Sequence, residues 1–66
     1  MNTRLLNMGF TRKGILYIHN ETGIQVEVLG RDLCNVMTSA GVIHKHVAIK
    51  YVERVVLQEM EAMYDN

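Results

Sequence analysis

The stretch from Ile18 to Val28 reads I-H-N-E-T-G-I-Q-V-E-V, and it constrains the fold more than any other part of the chain. Ile24, Val26 and Val28 alternate with Gln25 and Glu27, the pattern of a strand with one face buried. On the other side, Ile15, Tyr17 and Ile18 are strong β-formers. Between the two runs, Asn20–Gly23 supplies turn chemistry. The Asn side chain bonds nearby backbone, and Gly accepts a positive φ without a Cβ clash. A hairpin is therefore expected over residues 10–30. A lone hairpin is only marginally stable, so it must pack on something. Asn20-Glu21-Thr22 also fits the glycosylation pattern N-x-[ST], a match that the turn reading makes incidental.

A chain of 66 residues is expected to form one domain, and one this short buries only about 60% of its unfolded surface. Small secreted domains offset a thin core with disulfides, whereas Cys34 is the single cysteine here. Met1–Arg4 leads into two apolar residues before Asn7, which does not fit a signal peptide. No apolar run approaches the ~20 residues of a membrane span. The expectation is a reduced, cytoplasmic protein with no membrane partner. A homodimer would supply the missing buried area.

Thr3–Met8 reads as a short helix stopped by Gly9. Phe10–His19 reads as one strand, with Gly14 marking a bulge or a late start. Gly30 ends the second strand. Asp32 suits a helix N-cap, and Leu33, Val36, Met37 and Ala40 then share one helical face. Gly41 suits a left-handed helix end. A second helix is expected from about Ile43 to Tyr64. The expected class is α+β, one domain over 1–66. A β-hairpin packs on a helix-turn-helix at 31–54, followed by a C-terminal helix extension at 55–66. The alternative is a three-stranded antiparallel sheet with one long helix, in which residues 31–42 form the third strand.

A capped helix, a glycine turn and a second helix make a helix-turn-helix pattern. The stretch Leu33–Val52 resembles the helix-turn-helix of LacI-type repressors, where the turn often reads A-G-V with a Val further on, as Ala40-Gly41-Val42 and Val47 do. The runs R-D-L-C, H-K-H-V and V-E-R-V are similar to the N-terminal region of Rha-type phage regulatory proteins. The resemblance covers roughly residues 24–56. Met37 departs from it where alanine is common, and Lys50 where an apolar residue is common. The resemblance implies a second helix in the major groove of double-stranded DNA. His44, Lys45 and His46 would then face the bases, while Lys50, Arg54, Arg12 and Lys13 would meet phosphates. Val56, Met60, Met63 and Tyr64 form a candidate dimer or partner interface.

Net charge is zero, yet residues 1–54 hold seven basic side chains against four acidic ones, and the segment from Val55 holds three acids and no base. No Gly-rich phosphate loop, nucleophile elbow or paired carboxylates stand out, so no enzyme activity, catalytic residue or cofactor is expected. Cys34 sits among apolar neighbours and reads as a buried small hydrophobe. His19, Cys34, His44 and His46 are zinc-type residues. However, two positions apart on a helix, His44 and His46 diverge by about 200°, so no metal site is expected. Leu5–Gly14, L-L-N-M-G-F-T-R-K-G, looks like the start of HicA-type toxins, small RNA-cleaving αβββα domains. In those the catalytic histidine follows shortly after the glycine. Ile15 and Leu16 stand there in this chain, so that activity is not carried over.

The first functional expectation is a small, phage-encoded, dimeric DNA-binding transcriptional regulator. The rival is a protein–protein interaction module that inhibits a host or defence protein machine, as anti-CRISPR-type phage proteins do. The basic cluster separates the two, because a regulator needs it on one surface.

Overall fold

In the computed structural model, which describes residues 2–64, the chain forms α1 (Thr3–Asn7), β1 (Phe10–Lys13), β2 (Leu16–His19), β3 (Gln25–Gly30), β4 (Leu33–Met37), β5 (Ile43–Val47) and α2 (Ile49–Tyr64). The five strands make one antiparallel meander in the order β1-β2-β3-β4-β5. Short, tight turns force that order. Lys13 pairs with Leu16 across Gly14-Ile15, and Gly14 takes φ +63°. At the next turn the His19 N–H donates to the Ile24 carbonyl at 2.8 Å and the Gly23 N–H donates to the His19 carbonyl at 3.0 Å. At the last hairpin the Gly41 N–H donates to the Thr38 carbonyl at 2.9 Å.

Both helices cover the same face of the sheet. Leu5 of α1 and Ile49, Val52, Val55 and Val56 of α2 share a core with Phe10, Tyr17, Ile24, Val26, Cys34 and Val36. The spacing on α2 is the apolar stripe of an amphipathic helix. Each of these fully buried aliphatic side chains contributes about 1.5–3 kcal/mol of burial free energy. Among the described residues, no helix is long and apolar enough to cross a membrane.

The α+β class stands, but the helix-turn-helix at 31–54 does not form. Leu33–Met37 and Ile43–Val47 are paired strands, not helices. The reason is tertiary pairing. Val26 lies opposite Val36 and Val28 opposite Cys34, so β4 extends a sheet whose buried side its alternate residues complete. The alternative expectation of a sheet with one long helix is nearer, with five strands rather than three. Phe10–His19 is two strands joined at Gly14, not one. The long helix begins at Ile49, not at Ile43. Residues 65 and 66 of the expected extension lie outside the described residues.

Candidate functional site

Among the described residues, no element covers the face of the sheet opposite the helices. Register places two rows of side chains across it. One row runs Lys13, Leu16, Glu27, Asn35, and the other runs Thr11, Ile18, Gln25, Met37, Ile43. Leu16 and Ile18 are half-buried, Met37 is 37% exposed and Ile43 is 55% exposed. They make two apolar patches, Leu16 with Ile18 and Met37 with Ile43, separated by Gln25 and Glu27 of β3. A shallow groove of about 230 Å³ lies among Leu16, Gln25, Glu27, Asn35, Met37 and Ile43. Its polar wall is internally bonded. Asn35 Nδ2 donates to the Glu27 carboxylate at 3.3 Å, and Asn35 Oδ1 accepts the His46 N–H at 2.9 Å.

The residues expected to contact DNA are dispersed. Arg12 and Lys13 lie on β1, at one edge of the sheet, and His44, Lys45 and His46 lie on β5, at the opposite edge. Lys50 and Arg54 are exposed one turn apart on α2. His44 faces the helical side, its ring edge-on to Tyr51 with centroids 5.4 Å apart, and its Nδ1 is 3.5 Å from the Tyr51 hydroxyl. His46 holds φ +56°, where the β4–β5 register shifts. Sheet edges are templates for unwanted pairing, and basic side chains and bulges blunt them. Arg12, Lys13, Lys45 and the His46 bulge fit that structural duty.

Of the expected interface residues, Val56 is buried in the chain's own core and Met60 packs against it. Met63 and Tyr64 are exposed. The Tyr64 hydroxyl donates to the Glu21 carboxylate at 2.7 Å, and that bond raises the phenol's pKa.

The four zinc-type residues do not meet. His19 is buried beneath the turn at Met8 and Gly9, its Nε2 3.1 Å from the Met8 carbonyl and its Nδ1 2.8 Å from the Thr22 hydroxyl. The Cys34 thiol donates to the Val47 carbonyl at 3.5 Å. Burial, and then the nearby Asp32 charge, push its pKa up to about 11. It is therefore neither a nucleophile nor a ready metal ligand at neutral pH. Among the described residues, no three His, Cys, Asp or Glu side chains converge to hold a metal ion.

Sequence reasoning missed the open face as a surface. The signal lay in I-L-Y-I at 15–18. A continuous apolar run, unlike the clean alternation at 24–28, places apolar side chains on both faces of a strand. Comparison with protein-family models, with curated proteins and with solved structures gave no match for this chain.

Proposed function

We propose that this chain is a non-enzymatic interaction module that works as a homodimer, two open sheet faces packed against each other. The observation that carries the reading is one open sheet face that holds two apolar pairs, Leu16 with Ile18 on β2 and Met37 with Ile43 on β4 and β5, on either side of Gln25 and Glu27 of β3. Apolar side chains interspersed with polar ones match the mixed composition of non-obligate protein interfaces. A two-fold interface must be self-complementary. This face supplies that, because acidic Glu27 lies between basic residues at both edges, Lys13 on β1 and Lys45 on β5. Packed sheets sit about 10 Å apart with strands about 30° askew. The blunted edges direct association to the face rather than to strand addition.

Sedimentation equilibrium tests the reading. The wild type is expected to dimerise, and Ile43→Asp is expected to sediment as a monomer with unchanged far-ultraviolet dichroism. Leu57→Asp, on the exposed side of α2, is expected to remain dimeric. A wild type that stays monomeric over the whole concentration range, or an Ile43→Asp variant as dimeric as the wild type, contradicts it.

DNA binding is the competing proposal. Without a recognition helix at 43–54 it would run through Lys50 and Arg54, exposed at i and i+4 on α2. Those residues would contact phosphates without reading sequence. Fluorescence anisotropy of a labelled duplex decides it. Binding that weakens steeply with salt and is lost in a Lys50→Glu, Arg54→Glu double variant supports it. No binding at low salt removes it.

A further inference from the structure

We propose that the cleft between the β1–β2 and β3–β4 turns binds a small phosphomonoester. The cleft opens on the helical side of the sheet, beyond the start of α1, and has a volume of about 430 Å³. Arg12 and Arg31 line it together with Asn2, Tyr17 and Val28. Arg12 pairs across the ladder with Tyr17, whose ring belongs to the core, so its side chain rises on the helical side. Arg31 comes from the β3–β4 turn. These two cations meet because the meander brings alternate turns to one end of the sheet.

The lining offers donors and no carboxylate. Arg12 Nε donates to the Gly14 carbonyl at 3.1 Å, which fixes the guanidinium and leaves its terminal nitrogens free. Tyr17 oxygen accepts the Asn2 N–H at 2.8 Å, and among the described residues no acceptor takes the phenol's own proton. Asn2 Oδ1 is engaged by the Leu5 N–H at 3.2 Å, so the Asn2 side chain has its amide N–H groups left to offer. The nearby carboxylate, Asp32, accepts the Ile49 N–H at 3.1 Å and stands 4.0 Å from Arg4. Among the described residues, neither Arg12 nor Arg31 has a carboxylate within ion-pair distance.

Two guanidinium forks with further donors fit a phosphate dianion, with its several acceptor oxygens, better than a single carboxylate. The volume is in the range of small-molecule sites, roughly 300–1,000 Å³. Val28 and Ile15 supply an apolar wall for an organic group. Ile15 is 73% exposed, the most exposed large aliphatic side chain among the described residues, and an organic group bound in the cleft would cover it.

The test is an NMR titration of the full chain with phenyl phosphate, following backbone amides and the arginine Nε–H signals. Inorganic phosphate, phenol and a short oligonucleotide without a terminal phosphate are run in parallel. Saturable shifts are expected at Gly14, Gly30, Arg31 and Arg12 Nε, with inorganic phosphate weaker and phenol silent. Arg12→Gln and Arg31→Gln should each weaken binding by about tenfold, the loss of one charge-assisted hydrogen bond, whereas Lys50→Gln should not change it. Shifts that never saturate, or that spread equally over Lys45, Lys50 and Arg54, overturn the proposal. So does an oligonucleotide that saturates the same amides where phenyl phosphate does not, since that would assign the cleft to a phosphodiester backbone. The cleft lies on the opposite side of the sheet from the dimer face, so Ile43→Asp should bind phenyl phosphate as the wild type does.

Discussion

Ala48 precedes α2 and has no side-chain oxygen for the first turn of that helix. Asp32 serves instead from the β3–β4 turn, 17 residues away, its Oδ1 accepting the Ile49 N–H at 3.1 Å. Asp32→Ala should therefore cost about 1 kcal/mol in urea unfolding, and Asp32→Asn much less, because Asn caps about as well as Asp. The Arg4 pair adds little, since both side chains are more than half exposed. Cys34 gives a second residue-scale expectation. Its thiol pKa is raised from 9.0 to about 11 by burial first and Asp32 second. Above pH 9 the unfolded chain releases this proton while the native chain holds it, so stability falls as pH rises toward 11. A chemical-denaturation series over pH 8–11 should show that slope reduced in Cys34→Ala, and the native thiol should resist Ellman's reagent at pH 8. His19 belongs here too. The Thr22 N–H donates to its Nδ1 at 3.2 Å, which leaves Nε2–H to donate to the Met8 carbonyl. A histidine at the mouth of a polar turn reads as a surface residue until Met8, Gly9 and Phe10 are seen to close over it.

At the scale of elements, the legible parts were those with one period and one reading. Ile24–Val28 alternates cleanly and forms β3. The stripe from Val52 to Val56 has helical spacing only and forms α2. The segment L-C-N-V-M at 33–37 satisfies both templates. Leu33, Val36 and Met37 fit a helix, whereas Cys34 and Val36 fit a strand, and those two are the residues buried. Over five residues local pattern cannot choose, and the ladder with β3 decides. Gly41 carried the right conformational signal on the wrong element. A left-handed glycine was expected to end a helix, and its φ of +89° instead closes the β4–β5 hairpin. Asp32 behaves alike, a true cap assigned to the wrong helix. The cleft at Arg12 and Arg31 was out of reach for a different reason, since it depends on which turns the meander gathers at one end. The bulge in β5 allows a direct check. His46 sits at φ +56°, a conformation that costs an L-residue about 1–2 kcal/mol. Its backbone N–H, not its ring, bonds Asn35. His46→Gly is thus expected to raise stability by up to about 1 kcal/mol after the added freedom of the unfolded glycine is counted. A loss of stability would show that the imidazole itself holds the edge.

For the whole molecule, the balance is between a sheet of five strands and helices enough for one of its faces. The core draws on α1, α2 and the inner side of the sheet, while Leu16, Ile18, Met37 and Ile43 stay on the outer side. The C-terminal stripe first read as a dimer seam is partly used within the chain, at Val56 and Met60. The charges first read as a DNA face lie on both sheet edges and on α2. The proposed sheet-on-sheet dimer would cover the two apolar patches and pair the mixed charges of this face. The most direct measurement is an isotope-filtered NOE experiment on a mixture of ¹³C-labelled and unlabelled chains. Intermolecular contacts are expected among the methyl groups of Leu16, Ile18, Met37 and Ile43. Contacts confined to Leu57 and Met63 of α2, or none at all at concentrations where the chain self-associates, would contradict the account.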